Sequence, residues 1–161
     1  YRLKEEGFEV NIMSNVVGKF HGILGTNMDS DLLTSELLNT SRYREIFNNY
    51  DFLVIPGGVK ALEKLRQEKH VLKFINEWNS VGKVIASTCH GAQLLISSNV
   101  VAGGSVSGDY SIKDDINNAG ATYVDAPVVT DRNLVSSPHY KWMGEWMKEA
   151  IEIYNDGTTF V

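Results

Sequence analysis

The chemistry-bearing stretch of this chain is Val84-Ile85-Ala86-Ser87-Thr88-Cys89-His90-Gly91-Ala92-Gln93-Leu94-Leu95, which holds its one cysteine. A bare apolar run leads into Cys89, and a sequence that reads as helix from Ala92 to Ser98 follows it. Small residues stand two before (Ser87) and two after (Gly91). That is the spacing of a nucleophile elbow, where a sharp strand-to-helix turn strains the backbone and larger neighbours would clash. A helix N-terminus beside the sulfur favours thiolate, and the N–H of His90 points where an oxyanion would form. The expectation is a thiol with a lowered pKa that alkylates faster than free cysteine at neutral pH. A lone cysteine is otherwise a small buried hydrophobe; the strand-end position, the glycine spacing and the adjacent histidine argue for chemistry here.

A second signal precedes it. Phe52-Leu53-Val54-Ile55 is an apolar run without alternation, ended by Pro56-Gly57-Gly58. Such a run suits a strand buried on both faces of a parallel sheet. Ligands of open parallel sheets bind outside the carboxyl ends of the strands. Gly57 and Gly58 therefore belong near Cys89, and Gly58 offers its N–H as a second oxyanion donor.

The elements that must carry these residues alternate between strand and helix. Tyr1 to Glu6 reads as the end of a helix stopped by Gly7, and Phe8, Val10 and Ile12 alternate as in a strand. Asn15 to Thr34 reads as a hairpin or loops, and Ser41 to Tyr50 as a short helix. Val71, Leu72, Phe74, Ile75 and Trp78 have helical spacing up to Gly82. Short strands are expected near Ser105-Val106, Tyr123-Val124, Val128-Val129 and Leu134-Val135, with helices from Ser111 to Ala119 and through Trp142, Trp146 and Ile151. This order predicts an α/β fold, a doubly wound and mostly parallel sheet with helices on both faces, in a single domain over 1–161.

Composition narrows the function classes. The formal net charge is -5 with scattered positive groups, which argues against a nucleic-acid partner. No apolar run approaches the roughly 20 residues of a membrane span. One cysteine allows no intrachain disulfide and suits a reducing, cytoplasmic setting. With four widely spaced histidines, no zinc-type ligand cluster is legible, so no metal is expected.

At these residues the chain resembles the PfpI/ThiJ superfamily, in the intracellular protease-like branch of the class I glutamine amidotransferase-like, flavodoxin-like fold. The resemblance rests on Val54-Ile55-Pro56-Gly57-Gly58, Glu63-Lys64-Leu65-Arg66, Ala86 to Ser97, Ile112-Lys113-Asp114-Asp115, Asn118-Ala119-Gly120-Ala121 and Asn133-Leu134-Val135-Ser136-Ser137. It implies Cys89 as nucleophile, His90 as adjacent base, and the N–H groups of Gly58 and His90 as oxyanion donors. It also implies that Glu63 reaches the Cys-His pair of a neighbouring subunit, so a homo-oligomer, dimer or hexamer, is expected. No organic cofactor is implied.

The chain departs from the family pattern at Gly108-Asp109-Tyr110-Ser111 and at Ser137-Pro138-His139-Tyr140. Both segments are expected at the pocket mouth, which makes Tyr110 and His139 candidate substrate-binding residues. Relatives also carry an upstream strand with an acidic residue beside the thiol, expected between a Phe8–Ile12 strand and the Phe52–Ile55 strand. The chain opens on Tyr1 inside a helix, so residues 1–161 are not expected to complete the family sheet alone. The functional expectation is thiolate attack on a carbonyl carbon, in amide or peptide hydrolysis or as a glutathione-independent glyoxalase. The alternative is a non-catalytic stress protein, a redox sensor or holdase, that works by oxidation of Cys89.

Overall fold

The computed structural model describes residues 1–22 and 25–157, which fall into two compact units divided between Asn49 and Tyr50. In the first, the helix Arg2–Glu5 ends where Gly7 takes φ +88. The N–H of Gly7 donates to Lys4 O and that of Phe8 to Leu3 O, both at 3.0 Å, so the last carbonyls are satisfied by a left-handed cap. Phe8, Val10 and Ile12 are half-buried and Glu9 and Asn11 exposed, yet strand structure begins only at Met13–Ser14, which runs parallel to Leu32–Leu33. The expected Phe8–Ile12 strand is thus an extended segment with strand-like alternation. Its end is held by a loop: Ile12 N–H donates to the Asp31 carboxylate at 2.8 Å, and Ile12 O accepts from Asp31 and Leu32. Lys19–His21 and Asn27–Asp29 form the antiparallel hairpin; residues 23–24 of that stretch lie outside the described residues. The helix Thr40–Asn49 follows a 3-10 turn, Thr34–Leu38, whose Glu36 accepts the Leu33 N–H at 2.6 Å and pairs with Arg42 at 2.9 Å.

The second unit carries a four-stranded sheet in the order Phe52–Ile55, Val84–Thr88, Leu134–Ser137, Val129–Asp131. The first three strands are parallel and the last is antiparallel. A second, two-stranded parallel sheet pairs Ser105–Val106 with Thr122–Tyr123. This is a mostly parallel α/β arrangement of flavodoxin-like type, as the alternating elements predict. All five residues of Val84–Thr88 are buried, which is why the run shows no alternation: both faces are covered. Burying a side chain such as Ile85, which is fully enclosed, contributes about 1.5–3 kcal/mol.

Two long helices, Lys69–Ser80 and Met143–Asp156, clamp the sheet through tryptophans. The indole N–H of Trp78 donates to Val84 O and that of Trp146 to Val135 O, each at 3.1 Å. Both rings are almost wholly buried, and each polar tip has a partner, as a buried indole requires. The register then decides where the site falls. Ile55 pairs with Ser87, and Thr88 with Ser137. The three parallel strands therefore end at one edge, from which Pro56, Cys89 and Pro138 depart.

Candidate functional site

Cys89 leaves its strand with φ +57, one of three non-glycine residues with positive φ among the described residues. A side chain rarely adopts this region, and an elbow is where such strain is found. The neighbouring glycines show what the turn demands. A Cβ on Gly91 would lie 2.6 Å from Ile55 O, and one on Gly57 would lie 2.8 Å from Cys89 Cβ. A Cβ on Gly108 would come within 3.2 Å of Cys89 O, the carbonyl that accepts the Asp109 N–H at 3.1 Å. Three glycines thus let three chain segments close around one residue.

The turn after the strand is a 3-10 turn, Cys89–Gly91, and the helix behind it, Ala92–Ser97, has six residues. It brings His90 back onto the thiol: Nδ1 lies 3.3 Å from Cys89 Sγ. The opposite ring nitrogen, Nε2, lies 3.1 Å from Ser111 Oγ. Ser111 donates its hydroxyl to Asp109 Oδ1 at 2.6 Å and its backbone N–H to the same oxygen at 3.0 Å. The other carboxylate oxygen, Oδ2, is 3.8 Å from the sulfur and accepts from the thiol. Asp109 and Ser111 belong to a loop entering the 3-10 turn Tyr110–Ile112, with Asp109 as its N-cap.

The charges set the resting state. Burial pushes the Cys89 thiol up from its ordinary value. The His90 backbone N–H opposes this, and the negative charge and hydrogen bond of Asp109 reinforce it. The expectation of a lowered thiol pKa is therefore overturned: a short helix does not offset desolvation and a carboxylate at van der Waals range. Asp109 itself is held below the ordinary carboxylate value. Burial alone would raise it, but the Ser111 hydroxyl and N–H outweigh that, helped by His90.

Of the other sequence candidates, Gly57 lies against the thiol and Gly58 takes φ +117 at the start of the helix Val59–Leu65. Glu63 sits on that helix with an exposed side chain, outside the hydrogen-bonded group of Cys89, and its carbonyl receives the Gln67 amide. Tyr110 and His139 line a cavity of about 360 Å³ together with Asp109, Tyr123, Asp125 and Trp142. Tyr110 meets Tyr123 edge-on at 6.4 Å. The Tyr123 phenol is pushed up by burial and then by Asp125, Asp109 and Tyr110. His139 caps its own turn, with Nδ1 accepting the Lys141 N–H at 3.2 Å. Asp109 is the residue common to the thiol group and the cavity.

Sequence reasoning missed Asp109 and Ser111 as site residues. Their local signal is Asp-x-Ser before a helix, a capping pattern, but nothing in it points twenty residues back to Cys89. The fold also brings three groups of metal-ligating type together. Cys89, His90 and Asp109 each offer a ligand atom within 4.8 Å of the others, the one such group found among the described residues. The hydrogen bonds between them already account for that proximity. No helix among the described residues is long and apolar enough to cross a membrane.

The chain as a whole is similar to known proteins. The model of the DJ-1/PfpI family matches residues 1–153. A deglycase of Thermococcus kodakarensis is 39% identical over 152 residues, covering 92% of this chain and 86% of that protein. The deglycase PfpI of Pyrococcus furiosus is 38% identical with the same coverage. Among solved structures, a two-domain protein of Anabaena variabilis with DJ-1/ThiJ/PfpI-like and ferritin-like domains superposes with a TM-score of 0.83 at 32% identity. The match covers 93% of this chain and 41% of that one.

Proposed function

The chain belongs to the DJ-1/PfpI family, and from that premise we propose that it is a cysteine-dependent enzyme whose thiol attacks the carbonyl carbon of a small or peptide-borne substrate. One observation carries the reading: at the strained elbow the Cys89 sulfur has a base, His90 Nδ1, at 3.3 Å, next to the cavity that Asp109 lines. The names of the deglycase relatives support a carbonyl adduct as the substrate class. The cavity has the volume of a small-ligand site.

The step begins with transfer of the thiol proton to His90 Nδ1. Sulfur then bonds to the carbonyl carbon, and the π pair moves to oxygen. The N–H groups of His90 and Gly58 are the proposed donors to that oxyanion. With a 2-oxoaldehyde, the imidazolium returns its proton to oxygen to give a hemithioacetal. The freed base then moves the proton of that carbon to the adjacent carbonyl carbon, and water hydrolyses the resulting thioester to the 2-hydroxy acid and free thiol. With an amide, the tetrahedral adduct expels the amine, which takes the same proton, and water then hydrolyses the thioester.

The proton acceptor beside the sulfur, His90 Nδ1 at 3.3 Å, favours this reading over a redox sensor, which needs no base to accept a proton. The test is loss of methylglyoxal and cleavage of amide substrates by the native protein and by Cys89→Ala, with intact mass for oxidised Cys89. Turnover that vanishes in Cys89→Ala supports the enzyme. Equal rates in both proteins, with Cys89 readily oxidised to sulfinic acid, would hand the function to the sensor.

A further inference from the structure

We infer that the group orienting the catalytic histidine lies in the same chain: Asp109, acting through the Ser111 hydroxyl, holds His90 with its proton on Nε2 and its lone pair on Nδ1 facing Cys89. The inference rests on the proposed role of Cys89 and His90 and goes beyond it. It makes Asp109 and Ser111 positioning residues, a part that the resemblance assigns to Glu63 of another subunit.

The argument is one of donors and acceptors. An ionised carboxylate has no hydrogen to give. The 2.6 Å bond between Ser111 Oγ and Asp109 Oδ1 therefore uses the single proton of the serine hydroxyl. What remains on Ser111 Oγ is a lone pair, so its 3.1 Å contact with His90 Nε2 requires Nε2 to be the donor. A neutral imidazole carries one N–H. Nδ1 is then the unprotonated nitrogen 3.3 Å from the sulfur, so the single thiol proton has two acceptors in reach, Nδ1 and Asp109 Oδ2 at 3.8 Å.

The same arm serves after proton transfer. When Nδ1 takes the thiol proton, the ring becomes a cation with both nitrogens donating. Asp109 Oδ1 stands 4.0 Å from Nε2, where its charge compensates the imidazolium. The carboxylate is itself fixed by two bonds from Ser111 and by the Asp109 N–H on Cys89 O. This is the logic of a nucleophile, a base and an orienting acid, with a hydroxyl interposed between base and acid. Glu63, exposed on the Val59–Leu65 helix, makes no part of it within the chain.

Asp109 also faces the sulfur directly, and this gives its removal two opposite consequences. Both of its effects on the thiol, charge and hydrogen bond, hold the proton on sulfur. Asp109→Asn should therefore lower the thiol pKa and speed iodoacetamide alkylation at neutral pH. It should also slow turnover through kcat, because the base is no longer held and its cation no longer compensated. Ser111→Ala should slow turnover without the faster alkylation. The groups facing the thiol are His90 and Asp109, and those facing the carboxylate are His90, Cys89, Ser111 and the Tyr123 phenol.

The experiment measures three quantities on native protein, Asp109→Asn and Ser111→Ala, each checked for folding by circular dichroism. These are the alkylation rate of Cys89 by mass spectrometry, the imidazole nitrogen shifts of His90 by NMR, and kcat and KM on methylglyoxal. The expected result is an Nε2–H imidazole in native protein and loss of that hydrogen-bonded signal in both variants. With it should come a kcat drop on the order of 10²-fold at little change in KM, and faster alkylation in Asp109→Asn only. An Nδ1–H imidazole in the native protein would overturn the inference, as would unchanged His90 shifts in both variants. So would a comparable kcat loss in Glu63→Gln with the Asp109 and Ser111 variants normal. Alkylation and NMR need no substrate, so a native protein without carbonyl turnover refutes the proposed function alone and leaves these two readings to judge His90.

Discussion

Replacing Gly57 by alanine isolates the packing on which the elbow depends. The new methyl would stand 2.8 Å from Cys89 Cβ, 3.4 Å from Sγ and 3.6 Å from Thr88 O. Ordinary contact begins near 3.4 Å, so about 0.6 Å must be found by moving either the Pro56–Gly58 loop or the elbow itself. Neither is soft. The loop is anchored by the Phe52–Ile55 strand and by Gly58 O, which accepts the Leu62 N–H. The elbow is tied by Asp109 N–H and Ser111. Forcing one methyl into a packed site of this kind costs about 1–3 kcal/mol. A 1 Å misplacement of reacting groups costs about 10²-fold in rate, so a shift of this size should cost roughly tenfold. Urea denaturation reads the first effect and methylglyoxal turnover the second. Gly58→Ala is the comparison. Its methyl meets nothing within 4 Å, but the residue sits at φ +117, so it loses stability by backbone strain without pressing on the sulfur. Native stability together with native turnover in Gly57→Ala would refute the reasoning, because the glycine would then be a turn residue and not a floor for the thiol.

Other outcomes follow from the same geometry. Since burial and Asp109 raise the thiol pKa, native Cys89 should alkylate more slowly than free cysteine at neutral pH and accelerate as pH rises through the raised value; a rate already at plateau at pH 7 contradicts this. Gly91→Ala drives a Cβ to 2.6 Å from a backbone carbonyl, which no rotamer relieves, and should lower stability by about 1–3 kcal/mol in urea titrations. Ile85→Ala, in the fully enclosed centre of the sheet, should cost about 2–5 kcal/mol by the same measurement. The Glu36 carboxyl is held below its ordinary value by the Leu33 N–H and Arg42. Its contribution to stability is therefore present above pH 4.5 and lost as pH falls through the lowered value, and Glu36→Gln should flatten the acid limb of a stability-against-pH curve.

Much of the fold was legible because local rules agree with one another there. Val84–Thr88 is an unbroken run buried along its whole length, as expected of a strand covered on both faces, whereas Phe52–Ile55 forms the expected strand but stands at an end of the described sheet with only Ile55 buried. The elbow was legible from small residues two before and two after Cys89, although what excludes a Cβ at Gly91 is Ile55 O on the neighbouring strand. Residues 8–12 show the limit. Their side chains alternate as in a strand, but a ladder needs a partner in register, and Asp31 takes the Ile12 N–H instead.

The site divides along the same line. Cys89 and His90 are neighbours in the chain and the glycines of both turns stand at recognisable spacings, although the atoms that bar a Cβ belong to the other strand end, Ile55 O for Gly91 and Cys89 Cβ for Gly57. Asp109 and Ser111 arrive from twenty residues downstream, and only the closing of the Gly108 loop onto Cys89 O brings them there. The sign of the thiol's pKa shift was decided by that arrival and by burial, since desolvation and charge depend on distance through space. Sequence therefore determined where the thiol sits on its turn, and tertiary structure decided which groups surround it, because those contacts depend on distance through space.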